Sequence, residues 1–324
     1  MLSWFPKTIW RSLPCPDELP VPHGMSIPVT DTIPTMRGGP EVVDQILWPR
    51  QTFDASFNHD AATGDMAIHF PSPLPMGNVV WDNVVMDWHV ARSRGRFVKG
   101  PAILILDILQ GGNLVAGYIA KKMAKHGIHG FVLHMPQNGR RRDAEKKYDW
   151  SRFLPSLRQA AGDARRCRDV IAALPLIEGA ISIQGTSLGG FIATLAGSID
   201  RAFDHVFLAL SGGDTYGVLS TGKADAARVR EHLLKSGYNE QTLRDSLWDI
   251  EPLRVAHRLD PRRTWLYSAC FDKVVSRGSS RKLARAIGLD SQHHRQLFGG
   301  HYTCVLDGWR FLSAMMAAVR RPIL

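Results

Sequence analysis

No stretch of this 324-residue sequence reaches about 18 consecutive apolar residues, so no segment is expected to span a membrane. The opening residues, Met1 to Arg11, lack both the apolar core and the small-residue cleavage site of a secretory leader. Cysteine is scarce. Cys15, Cys167, Cys270 and Cys304 lie far apart and form no C-x-x-C pair, which argues against a disulfide framework or a zinc site and for free thiols. No low-complexity tract and no internal repeat interrupts the chain. These absences leave a soluble, cytoplasmic globular protein, long enough for one large α/β domain or two smaller ones.

The formal net charge of +10 raises nucleic acid or an anionic surface as a partner. The Lys and Arg residues are scattered, however. Only Arg140-Arg141-Arg142 and Arg165-Arg166 with Arg168 are dense, and both clusters are expected on solvated faces, so no nucleic-acid partner is expected. Nine of the 19 prolines fall within residues 1 to 50, interleaved with Trp4, Phe5, Trp10 and Trp48. That composition opposes helix and central strand, while its aromatics oppose disorder, so an extended arm over residues 1–50 is expected against a main domain of 51–324.

From residue 51 onward, short apolar runs alternate with amphipathic stretches. Expected strands include 52–57, 66–70, 84–91, 102–106, 130–135, 180–183, 205–210, 264–270 and 295–298. Helices are expected at about 114–126, 151–174, 191–198, 279–287 and 303–319. Ala102 to Leu106 is continuously apolar, as in a strand buried on both faces of a parallel sheet. The alternation predicts an α/β class with a doubly wound, mainly parallel sheet. Residues 215–262 break it with charged helical patterns and no strand. An insertion placed there sits over the ligand side of such a sheet, which suggests a helical cap, with a surface decoration as the alternative.

The chemistry centres on residues 181 to 190. A β-branched run enters Gly185-Thr186-Ser187-Leu188-Gly189, a G-x-S-x-G, and Phe191 onward reads as a helix. Strand, tight turn and helix form the context in which such a serine is lifted clear of the sheet, with glycines at 185 and 189 relieving the crowding. A serine hydroxyl needs a base within reach and a third group to orient that base. Asp272 follows the strand ending near residue 270, with Asp214 as rival acid, and His301 follows the last strand on Gly299-Gly300. The order Ser, Asp, His is the one the G-x-S-x-G hydrolases use. The His293-His294 pair has no carboxylate or cysteine at ligand spacing and is expected to be a surface pair.

These residues carry a resemblance. The chain from about residue 51 to the C-terminus resembles the α/β-hydrolase superfamily, through Gly185-Thr186-Ser187-Leu188-Gly189-Gly190, Phe271-Asp272-Lys273-Val274-Val275 and Gly299-Gly300-His301. The turn Pro136 to Arg141 is similar to the P-x-x-G-x-R turn of many members. The resemblance implies Ser187 as nucleophile, His301 as general base then acid, and Asp272 as the orienter of His301. One departure is evident: Asp107-Ile108 stands where members carry His-Gly. The oxyanion hole implied is then the backbone N–H of Leu188 with that of Leu109, or alternatively Gln110.

The expectation is a serine hydrolase of small-molecule carboxylic esters, carboxylesterase-like, needing neither metal nor organic cofactor. Thioesterase, peptidase and acyltransferase chemistry use the same three residues. A non-catalytic binding module on the same scaffold, or a protein acting at anionic surfaces, are the readings of a different class.

Overall fold

The computed structural model describes residues 24–33, 46–59, 66–143 and 145–321. Cys15 and most of the expected N-terminal arm lie outside them. The chain opens with β1 (Ser26–Thr30), β2 (Thr52–His59), β3 (Met66–Pro71), a single helical turn α1 (Val79–Asp82) and β4 (Asn83–His89). A two-stranded ribbon follows, β5 (Arg92–Ser93) with β6 (Arg96–Phe97). Then strands and helices alternate: β7 (Gly100–Leu106), α2 (Leu114–Ala124), β8 (His129–His134), α3 (Phe153–Ala172), β9 (Ile177–Thr186), α4 (Leu188–Asp200) and β10 (Val206–Ala209). Three helices, α5 (Thr215–Thr221), α6 (Asp225–Lys235) and α7 (Glu240–Trp248), separate β10 from β11 (Thr264–Ala269). The chain closes with α8 (Arg277–Ile287), β12 (His294–Leu297) and α9 (Gly308–Val319).

Ten strands form one sheet in the order β1-β2-β3-β4-β8-β7-β9-β10-β11-β12. The strands from β1 to β4 pair antiparallel, as does β4 with β8, and every pairing from β8 to β12 is parallel. The apolar run of β7 reads as it does because both its faces are covered. Ala102, Leu104 and Leu106 join the core beneath α3 and α4, while Ile103 and Ile105 join the core beneath α2 and α9. Strand order reverses at β7: the chain leaves it in one direction for β8 and later continues from β9 in the other. The carboxyl ends of β7 and β9 are therefore neighbours, with Leu106 opposite Gly185, and open the crevice where ligands bind in such sheets.

Two sequence expectations need correction. The arginine clusters are solvated only in part: Arg142 is exposed and Arg140 and Arg168 are half-buried, but Arg141, Arg165 and Arg166 are buried. Arg166 pairs with Asp31 at 2.7 Å, Arg165 with Asp200 at 2.7 Å and Asp169 at 3.0 Å, and Arg141 with Asp163 at 2.7 Å. Through Asp31, which also accepts from the Trp48 indole at 2.7 Å, the Arg166 pair pins residues near β1 onto α3. Buried charges are tolerated because each guanidinium fork meets a carboxylate. The expected last helix, from 303 to 319, is divided into a 3-10 turn (Thr303–Asp307) and α9. Among the described residues, no helix is long and apolar enough to cross a membrane.

His129, at the start of β8, is buried in its neutral form. Its Nδ1 accepts from the Trp88 indole and the Ala91 amide, both at 3.1 Å, and Nε2 lies 3.0 Å from the Val98 carbonyl. Burial lowers its pKa from 6.5 to about 4. Below pH 6.5 the unfolded chain binds a proton that the folded state refuses, so stability falls as pH drops to about 4, by up to about 3 kcal/mol. Urea midpoints between pH 7 and pH 4 are expected to show this fall. His129→Gln is expected to be less stable at pH 7 but to decline less steeply over that window.

Candidate active site

Ser187 stands at the turn between β9 and α4 with φ 53° and ψ −116°, a conformation that L-residues rarely adopt. Its neighbours explain how the turn is tolerated. A Cβ on Gly185 would lie 2.1 Å from the Gly189 carbonyl oxygen, and one on Gly189 would lie 2.4 Å from that of Leu106. Both positions admit only glycine. The Ser187 N–H donates to the Ala209 carbonyl at 2.8 Å, anchoring the turn to the end of β10.

The structure brings the three predicted side chains together. His301 Nε2 lies 3.0 Å from Ser187 Oγ, and His301 Nδ1 lies 2.7 Å from Asp272 Oδ2. An ionised carboxylate only accepts, so Nδ1 carries the proton and Nε2 presents its lone pair to the serine hydroxyl. The other oxygen, Asp272 Oδ1, accepts from the amides of Val274 at 2.8 Å and Val275 at 2.9 Å. That fixes the carboxylate plane. Both the Asp272 and His301 side chains are buried. His301 is held on its loop by the Gly300 amide donating to Thr303 Oγ1 and by Gly299, whose φ of 124° turns the chain back from β12.

Asp214, the rival acid, is elsewhere engaged. It caps α5 by accepting from the Gly217 amide and forms an ion pair with Lys282. His293 pairs with Asp290 at 2.8 Å and His294 meets Ser268 Oγ at 3.0 Å. Among the described residues, no group of three or more His, Cys, Asp and Glu is arranged to hold a metal ion. Cys167 and Cys304 are buried free thiols, and Cys270 is half-buried.

Leu188 and Leu109, the two positions assigned to the oxyanion hole, line the same cavity as Ser187 and His301. As the first residue of α4, Leu188 has an N–H with no acceptor inside the helix, at its positive end. The turn that carries Leu109 is braced in a way the sequence reading missed. Asp107 is buried, its Oδ1 accepts from the Ala116 amide at 3.3 Å, and burial pushes its carboxyl above the usual carboxylate range. Asn113, at the end of the same turn, donates to His134 Nδ1 at 2.7 Å, and His134 Nε2 donates to Asp87 at 2.9 Å. The Arg140 amide also donates to His134 Nδ1, at 3.0 Å. The P-x-x-G-x-R turn and the turn after β7 thus share one histidine. The only sequence signal for this brace was the turn motif itself.

The cavity has a volume of about 570 Å³. Its walls come from α2, α3, α4 and α9 and from the helices between β10 and β11, through Val218, Ala226, Val229 and Leu247. Those helices are tied to the site. Tyr302, next to His301, donates its hydroxyl to Asp225 on α6, and His232 of α6 stacks on Trp150 at 4.4 Å between ring centroids.

No family model matches the chain, and no curated protein matches it. Solved structures match its fold. Acetyl xylan esterase 1 of Thermoanaerobacterium sp. is 13% identical with a TM-score of 0.62, covering 82% of this chain and 88% of that one. The α/β hydrolase GrgF of Penicillium sp. is 16% identical with a TM-score of 0.55, covering 79% and 98%. A puromycin-hydrolyzing peptidase of Mycobacterium tuberculosis is 14% identical with a TM-score of 0.59, covering 83% of this chain and 46% of its own. The chain has the α/β-hydrolase fold.

The crowding at the turn makes a direct prediction. Gly189→Ala is expected to lower stability by about 3 kcal/mol or more, because backbone rather than a flexible side chain stands in the way. Its urea midpoint should fall well below that of Gly117→Ala, a helical position where an added Cβ meets nothing within 4 Å.

Proposed function

We propose that this chain is a serine hydrolase that cleaves carboxylic esters through an acyl-enzyme. The observation that carries the reading is the unbroken chain of contacts from Asp272 to His301 to Ser187, at a strained turn inside an apolar cavity. The fold it shares with esterases adds to that reading.

In this mechanism His301 Nε2 takes the Ser187 proton as Oγ bonds to the ester carbonyl carbon. Charge develops on the carbonyl oxygen, where the N–H groups of Leu188 and Leu109 would meet it. Asp272 holds the imidazole in the required tautomer and stabilises the imidazolium without being protonated itself. The bond from carbonyl carbon to alcohol oxygen then breaks, and the alcohol leaves with the proton from His301. Water enters, gives a proton to His301, attacks the acyl carbon and releases the acid, returning the proton to Ser187.

A fluorophosphonate probe tests the reading. Stoichiometric labelling of the wild type that disappears in Ser187→Ala is the expected result, and no labelling of folded wild type contradicts it. Asp272→Asn, which leaves the carboxylate's place filled but favours the wrong tautomer, is expected to lower kcat by roughly 10³- to 10⁴-fold.

A further inference from the structure

The cavity around Ser187 is asymmetric in a way that bears on substrate. One end lies between α3, α4, α6 and α7, walled by Leu157, Leu195, Val229, Leu247 and Ile250, all buried. The other end is rimmed by large side chains facing solvent: Tyr118 of α2 and Trp309 of α9 are each 62% exposed, and Tyr302 is 55% exposed. Among the described residues that line the cavity, none is lysine or arginine. Its one carboxylate, Asp225, is taken up by Arg228 and Tyr302.

Resting on the serine-hydrolase reading above, we propose that the substrates are esters of aliphatic acids well beyond acetate in length, with the acyl chain in the closed end beneath the helices between β10 and β11. Three arguments converge on this. The five side chains named as walls of the closed end are all hydrocarbon, so a polar acyl group would be desolvated against them without compensation. An acetyl group would leave most of the chamber unfilled, whereas each buried methylene gains favourable transfer free energy. Geometry sets the direction: the acyl group stays on Ser187 after the alcohol departs, so the alcohol must face the open end. The rings of Tyr118, Tyr302 and Trp309 at that end suit an alcohol half that is partly apolar and partly wet.

The test uses the full chain and p-nitrophenyl acetate, butyrate, octanoate and dodecanoate, with fluorophosphonate labelling of Ser187 measured in parallel. kcat/KM is expected to rise from acetate to octanoate by at least about a hundredfold, given up to roughly fourfold per methylene. Ala226→Phe and Val229→Phe, which place a ring from α6 into the closed end, are expected to lower the octanoate-to-acetate ratio at least tenfold. Only variants that still label are scored, so a misfolded protein is not mistaken for a filled chamber. A wild type that labels yet prefers acetate overturns the chain-length inference and leaves the serine reading standing. An unchanged ratio in labelled variants places the acyl chain elsewhere and overturns it too. No labelling and no turnover of any ester removes the serine reading, and this inference with it.

Discussion

The close approach of Gly185 to Gly189 is the constraint on which the site depends. With Ser187 held at φ 53°, the strand entering the turn and the helix leaving it are pressed together so tightly that no β-carbon fits at Gly185, and the end of β7 presses on the turn so closely that none fits at Gly189. A turn of this kind costs of order 1–3 kcal/mol and persists only if its surroundings fix it. Here they do: β9 is clamped between β7 and β10, α4 packs on the same core, and the Ser187 amide is bonded to Ala209. The strain leaves the Ser187 hydroxyl facing the crevice, with the first N–H of α4 beside it.

Sheet topology supplies the rest. Because strand order reverses at β7, the turn bearing Leu109 runs beside the serine turn without any contact having to recruit it. Parallel pairing of β10, β11 and β12 carries the loops with Asp272 and His301 to the same edge. Three residues separated by 85 and 29 positions thus meet through strand register, and two hydrogen bonds finish the alignment. The Asp272 carboxylate is fully occupied by two amides and one imidazole, which leaves His301 a single orientation.

Much of this was legible in the sequence, for physical reasons. Apolar runs such as 102–106 and 205–210 are short, bounded by turn residues and buried on both faces, so composition alone marks them as strands. The glycines at 185, 189 and 299 advertise turns that other residues strain to adopt. What sequence left hidden was non-local. Local charge density placed Arg165 and Arg166 in solvent, because their partners Asp200 and Asp31 lie 35 and 135 positions away. Strand β1 is an edge strand that keeps a proline, Pro28, in its middle, so its composition does not separate it from an extended arm. The brace of Asp87, His134 and Asn113 joins three distant stretches of chain, and beyond the turn at Pro136 to Arg141 no local pattern marks it. The apolar chamber is likewise a property of packing, since its walls come from seven helices far apart in the chain.

The central claim is that Ser187 forms a covalent acyl-enzyme. Stopped-flow release of nitrophenolate from p-nitrophenyl octanoate tests it most directly. The account predicts an initial burst approaching one equivalent per chain, followed by slower turnover limited by attack of water on the acyl group, with a matching mass increase on the peptide holding Ser187 in acid-quenched samples. Turnover with no acyl mass on that peptide at any quench time would contradict it.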